Sequence, residues 1–301
     1  MTACGDTKVR GDISFFVSGI TNLPTPPIVF TQIQKVLNNP NTSAFDVAAI
    51  LQEDAAMSAK VLRMTNSAYY GLSREIESVR QAVVIIGLEA VKNLVLSASV
   101  FDMFSRQKID QEFEDYFWRH SLATAFAARL LARRLNTKTS SDPEAGFSAG
   151  LLHDMGKIVV AVYLPDLYQK VKSAKTQKPQ SPDHAIESEV LGYSHAQIGA
   201  VLGEHWRLPA KLVEAISFHH DPQAIPQNGN GLPCLVHLAN YLATLTFDFN
   251  PEEKGAYIEP MRAEALAAVG MTESDIAALV QPLREEYLKA ETFISMAKGL
   301  G

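Results

Sequence analysis

Ala149-Gly150-Leu151-Leu152-His153-Asp154-Met155-Gly156-Lys157-Ile158 is the stretch whose reading decides the fold. Apolar residues extend it on both sides, and the whole of Gly146–Val162 reads as one buried helix. An ionised carboxylate in such a helix costs on the order of several kcal/mol unless it is paired or coordinates a cation. Aspartate and neutral imidazole are good ligands for Fe, Mn, Ni or Zn. Adjacent residues point about 100° apart around a helix. His153 and Asp154 therefore reach one site only where a helix end or a second ion helps, and Asp154 bridging two ions would meet that condition. The alternative is a His-Asp pair tied to other helices by hydrogen bonds.

Working outward, helical spacing dominates both directions. Upstream, Leu23-Pro24-Thr25-Pro26-Pro27 stops an N-terminal tail, and the next helix shows Ile33, Val36 and Leu37 on one face until Asn38-Asn39-Pro40. Ser43 with Asp46 predicts a capping box, and Ser78 with Gln81 a second. A helix is expected through Ala55–Thr65. Val83-Val84-Ile85-Ile86 is β-branched enough for a strand, but with no partner strand in sight it is read as a short helix. From Leu88 to Phe101 the spacing is helical again. Downstream, helices are expected at Phe113–Leu135, Ala185–Leu191, Ser194–His205, Ala210–His220, Cys234–Leu245, Met261–Val269 and Glu273–Met296. Loops are expected at Asn136–Pro143, Ser173–Asp183 and Asp221–Gly231, with a turn at Trp206-Arg207-Leu208-Pro209.

The pattern predicts an all-α chain of two packed helical subdomains. Residues 1–18 form a tail, 19–108 an N-terminal helical subdomain, 109–245 a second, and 246–301 a helical extension. The 301 residues are 47% apolar, ample for a core of that size. With 27 basic against 33 acidic residues the net charge is −6, without long runs, which argues against a general nucleic-acid binder. A small basic pocket for one phosphorylated ligand remains compatible with it. Cys4 and Cys234 have no partner at ligand or redox spacing, so a reducing, cytoplasmic setting is expected. No signal-peptide core and no uninterrupted apolar run of membrane-spanning length is visible, so no membrane partner is expected.

All eight histidines lie between His120 and His237. His120 sits on the stripe Phe113, Phe117, His120, Thr124, Ala127, Leu131, where a lone histidine is ordinarily a satisfied core residue. His195 begins a helix and His219-His220 ends one, positions from which side chains project without disturbing a packed face. Histidine also suits a helix C-terminus electrostatically, which is the plainer account of the pair. His184, His205 and His237 read as surface or core packing.

The order His120, His153-Asp154 with Gly156-Lys157, His195, His219-His220 resembles the HD superfamily of metal-dependent phosphohydrolases. The chain is more closely similar to the HDOD family of bacterial signalling proteins. Further likeness lies in Leu23-Pro24, Ile50–Asp54, Leu62–Gly71, Ala82–Leu88, Leu94-Val95-Leu96, Gly192–Gly199, Trp206–Pro209 and Phe218–Pro222, so that it covers roughly Gly19 to Leu245. The resemblance implies His120, His153, Asp154, His195, His219 and His220 as ligands of one or two divalent ions, and Lys157 as a phosphate contact. Two departures qualify it. Asn240, in Val236–Ala243, stands where HD enzymes carry an aspartate, so that ligand brings no charge. The loop His219–Pro226 also lacks the Gly-Tyr-Pro motif of cyclic-dinucleotide phosphodiesterases, which argues against cyclic di-GMP hydrolysis.

The function expected is a signal-transduction module, non-catalytic but keeping a metal site, whose partner is a signalling protein or a small phosphorylated ligand. The alternative is an active phosphohydrolase on a nucleotide-like substrate, with an ion activating water and Lys157 holding a phosphate oxygen.

Overall fold

The computed structural model describes residues 13–18, 20, 26, 28–37, 39, 41–67, 69–105, 110–135, 142–224, 231–248 and 258–297. Every regular element among them is helical. The expected stop at Leu23–Pro27, the helix end at Asn38–Pro40 and the Asn136–Pro143 linker fall largely outside the described residues, as do 1–12 of the tail. Within the tail, Ile13–Ser18 is a helix that packs on the one starting at His195, with Phe16 and Tyr193 ring centroids 5.3 Å apart.

The first half follows the expected punctuation. Ser43 and Asp46 form a reciprocal capping box on Ala44–Gln52, and Asp54 caps Ala55–Thr65. Ser78 caps Val79–Ile86, although the Gln81 side chain accepts from the Glu77 N–H at 3.0 Å rather than from that of Ser78. The β-branched run is indeed a helix, with Ala82 and Val83 buried and Val84 and Ile85 exposed. Leu88–Ser105 then leads to the longest helix, Gln111–Arg134.

That long helix is the spine of the second half. Pro143–Leu152 and Leu232–Ala243 pack along it, with Trp118, Phe126 and Phe147 almost wholly buried between them. Each such side chain stabilises the fold by about 1.5–3 kcal/mol. One buried apolar cluster runs from Val17 to Tyr287, and Val280–Ala297 packs on both Ala55–Thr65 and Gln111–Arg134. Polar groups join the halves as well. Arg129, 2% exposed, bonds to Tyr69 Oη and to Glu144 at 2.7 Å, and Glu144 also accepts from Asn93 at 2.7 Å.

Several expected boundaries are corrected. Gly146–Val162 is two helices, Pro143–Leu152 and Met155–Tyr163, broken at His153-Asp154. The expected loop over Ser173–Asp183 shortens to Lys178–Pro182, because helix Pro165–Gln177, started by Pro165 at its first turn, takes in Ser173–Gln177. Glu273–Met296 divides into Glu273–Ala277 and Val280–Ala297. In the Trp206–Pro209 turn, Arg207 adopts φ 54°, and Gln34 donates to its carbonyl at 3.2 Å. Pro143–Tyr163 is long and apolar enough on average to cross a membrane, but 83% of its apolar window is buried inside the protein.

Candidate metal centre

The break at His153-Asp154 resolves the problem of two adjacent ligands. His153 is the C-cap of one helix and Asp154 the N-cap of the next, with φ −98° and ψ 8°. The Asp154 carboxylate makes no capping bond and is free to turn into the protein. Two glycines let the flanking helices approach. A Cβ on Gly150 would lie 2.7 Å from the Thr124 carbonyl oxygen, so Pro143–Leu152 touches the backbone of the His120 helix. A Cβ on Gly156 would lie 2.0 Å from the His195 carbonyl oxygen, so Met155–Tyr163 starts directly against the start of His195–His205. That second helix is fixed by a Ser194–Gln197 capping box.

Six expected residues converge as a result. His195 Nε2 is 3.0 Å and His219 Nε2 3.7 Å from Asp154 Oδ1, while His153 Nε2 is 3.4 Å and His120 Nε2 3.8 Å from Oδ2. His220 Nε2 is 2.9 Å from His195 Nε2. Asp154 belongs to two groups with metal-ligand proximity, one with His195, His219 and His220 and one with His120 and His153; within each, ligand atoms lie within 4.8 Å of one another. Asp154, His153, His195 and His219 are at most 2% exposed.

The hydrogen bonds fix the imidazole orientations. His153 and His219 each cap a helix, and each Nδ1–H donates at 2.8 Å to the carbonyl three residues back, Gly150 and Ile216. Those carbonyls lack helical partners at a C-terminus. His195 donates both its backbone N–H and its Nδ1–H to Glu187 Oε2, each at 2.6 Å. His220 Nδ1 pairs with Glu259. Four Nδ1 atoms are therefore engaged outside the cluster, and four Nε2 atoms face into it. His153 Nε2 is buried without a hydrogen-bonding partner.

Charge follows burial and pairing. Burial pushes His153 down to about 3 and holds His219 and His220 well below the usual imidazole range. Burial would raise the Asp154 carboxyl, but His153, Lys157 and His195 hold it well below the ordinary value. Burial also opposes protonation of His195, yet Glu187 and Asp154 raise it to about 9. Lys157 Nζ lies 2.8 Å from Asp154 Oδ2 and 3.7 Å from Asp183 Oδ2, and these carboxylates hold it charged against the cost of burial.

Above the cluster is a cleft of about 220 Å³, whose lining includes His120, Lys157, His184, His220, Asn240 and Glu259. Asn240 thus faces the expected neighbourhood. A second groove of about 460 Å³ shares Tyr116, Lys157, Lys175 and Asp183 with it and adds Phe113, Val160 and Tyr168. Histidines outside the expected set take different places. His205 is exposed. His237 is buried, donates from Nδ1 to the His219 carbonyl at 2.8 Å and accepts from Arg262 N–H at 3.2 Å, so it holds backbone at the site. His184 is corrected from a packing residue to a cleft residue, its ring 4.3 Å from that of His220.

Sequence reasoning also missed Glu187, Asp183 and Glu259. Glu187 had one usable signal, an acid next to Ala185-Ile186 on the helix preceding His195. Glu259 lies beyond the stretch that carried the resemblance.

The model of the HDOD domain matches residues 23–222. An uncharacterized protein of Treponema pallidum is 27% identical over 78% of this chain and 44% of its own length. Ribonuclease Y of Geobacter sulfurreducens is 28% identical over 49% of this chain and 23% of its own length. The chain spans less than half the length of these relatives. Among solved structures, an HDOD domain protein of unknown function from Geobacter sulfurreducens has the same fold, with TM-score 0.77 and 24% identity over 92% of this chain and 96% of that one. A putative phosphohydrolase from Shewanella amazonensis gives TM-score 0.74 at 24% identity over 97% and 100%. A putative signal transduction protein from Marinobacter aquaeolei gives 0.76 at 21% over 95% and 61%.

Proposed function

The chain belongs to the HDOD family, and we propose that it is a regulatory signal-transduction module that keeps a divalent metal centre beside a cleft for a small phosphorylated ligand. One observation carries the metal: four imidazoles donate their Nδ1–H groups away from the cluster, leaving four Nε2 atoms directed at a buried carboxylate. The 2.9 Å between the Nε2 atoms of His195 and His220 requires a proton or a cation between them. The proton that Glu187 and Asp154 hold on His195 is the one an ion would displace. Outward hydrogen bonds of this kind are what orient metal-ligating histidines. The buried, partnerless His153 Nε2 fits the same reading. His120, His153, Asp154, His195, His219 and His220 would hold Fe, Mn, Ni or Zn, with Asn240 as a neutral neighbour.

The ligand is argued from the lining. Lys157 and Lys175 stand where the cleft meets the aromatic groove of Phe113, Tyr116 and Tyr168. Lysines suit a phosphate and the rings a flat apolar part, the composition of a small-molecule site with a few placed charges. Occupancy would then be read by a signalling protein partner.

A second reading, a phosphohydrolase, is favoured by Lys157 beside the cluster and by the likeness to ribonuclease Y. A bound ion would supply Lewis-acid polarisation of a phosphoryl oxygen. Asn240 weighs towards regulation, because the amide lining the cleft brings no charge to a catalytic ion.

The test is to purify the protein without added metal and measure bound Fe, Mn, Ni and Zn, beside Asp154→Ala. A stoichiometric ion lost in the variant is the expected result; a small fraction of an ion per chain sinks the metal reading. Nucleotides and cyclic dinucleotides are then screened for phosphate or monoester release. Release that vanishes in Asp154→Ala replaces the regulatory reading with the hydrolytic one.

A further inference from the structure

The geometry points to a second cation site at the mouth of the cleft, built by His184 and Glu259 together with His220, in which Glu259 provides the carboxylate that Asn240 does not. This inference rests on the metal reading above and adds ligands from outside the expected set.

Three observations carry it. Ligand atoms of His184, His220 and Glu259 lie within 4.8 Å of one another, a group distinct from the two that share Asp154. His184 Nδ1 is buried and has no hydrogen-bonding partner, a cost that a cation removes and that the present neighbours do not. Asn240 and Glu259 line the same cleft as His220, so a carboxylate and an amide both border the space beside that imidazole.

The chain holds Glu259 there with some precision. Arg262, three residues on, donates its backbone N–H to His237 Nε2 at 3.2 Å, and His237 in turn donates to the His219 carbonyl. The segment carrying Glu259 is thus tied to the backbone of the His219-His220 pair. His220 stands between the two groups, with Nε2 towards His195 and Nδ1 towards Glu259, so an ion taken there displaces the proton that His220 Nδ1 shares with Glu259 and releases it to solvent. Two imidazoles and one carboxylate form a ligand set suited to Zn, Mn, Fe or Ni. Its partly exposed setting, against the almost wholly buried Asp154 group, makes it the weaker and more exchangeable of the sites.

The experiment uses the full chain, stripped with chelator and titrated with Zn²⁺ and with Mn²⁺ against a competing metallochromic dye. Wild-type protein is expected to take up one ion more than Glu259→Gln or His184→Gln, with the tighter ion retained in both variants. Asp154→Asn is expected to lose the tighter ion. The double variant Glu259→Gln/Asn240→Asp is expected to recover the weaker ion, because a carboxylate returns to the same cleft. Far-UV circular dichroism and thermal melts establish that each variant is folded; should Glu259→Gln fail, Glu259→Asp replaces it, expected to weaken the second ion at least about tenfold. Unchanged uptake in Glu259→Gln and His184→Gln, with one tight ion present, overturns the second site and leaves the first standing. Uptake of no ion by wild-type protein overturns both.

Discussion

Glu187 accepts the backbone N–H and the Nδ1–H of His195 through the same carboxylate oxygen, each at 2.6 Å. One buried acid thereby sets both the first turn of a helix and the direction of an imidazole, turning Nε2 towards Asp154 at 3.0 Å. Glu187→Gln can satisfy one of those donors but brings no charge, and its own amide must find acceptors. Partners of this kind are worth about 10- to 100-fold in metal affinity. Weakened retention of the tighter ion by that factor, in a variant with wild-type helicity, is the expected outcome of a competition titration. Equal affinity would mean that Glu187 only caps the helix.

Gly156 makes a different demand. Its missing Cβ would stand 2.0 Å from the His195 carbonyl oxygen and 2.8 Å from the Gly199 nitrogen, both backbone atoms that cannot swing aside. Gly156→Ala must separate two helices whose contact places Asp154 beside His195. Overpacking of this kind costs about 1–3 kcal/mol, and a backbone clash belongs at or above the upper end. Urea unfolding should show that loss, and metal retention should fall with it. At Gly199, where the nearest atom is the Ile216 Cγ2 at 3.0 Å, an alanine is expected to cost less.

The halves of the chain are joined through Arg129. Its guanidinium bonds to Tyr69 and Glu144 and lies 4.1 Å from the Phe147 ring centroid. Arg129→Ala leaves Glu144 with its Asn93 bond alone and opens space against Tyr69. Removing one partner of a buried pair costs about 3–5 kcal/mol. The expected signature is a large fall in the unfolding midpoint with ion uptake unchanged, since none of these residues lines the cleft above the histidine cluster. Loss of ion uptake in the folded variant would show that the halves communicate.

What the sequence could disclose follows from the range of each signal. Capping residues act within four positions, so Ser43 with Asp46 and Ser78 before Gln81 marked their helices correctly. Ligand types in a fixed order showed which histidines would meet. The break at His153-Asp154 was not marked in the same way, because the mostly apolar residues on both sides keep helical spacing across it. Glu187, Asp183 and Glu259 were hidden for a related reason. A single acid on a polar or amphipathic stretch reads as solvent-facing until the fold buries it against a histidine or a lysine. His184 and His237 looked equally ordinary, and only packing separates the first, in the cleft, from the second, behind the His219 backbone.

Asn240 offers the sharpest test of the alignment that placed it. Its side chain lines the cleft with His120, Lys157, His220 and Glu259, yet an amide there contributes no charge to a cation. Asn240→Asp adds a carboxylate at nearly constant volume. In the absence of an ion the new charge lies in the cleft with Glu259, whose carboxyl burial already pushes up to about 7, so the variant is expected to gain no stability when metal-free. With an ion bound the added charge is neutralised, and retention should rise. The two expectations together, a metal-free melting temperature no higher than wild type and slower loss of ion to chelator, separate a ligand effect from better packing. Unchanged ion loss would mean that residue 240 does not face the ion and that the helix Leu232–Ala243 was matched to the wrong register.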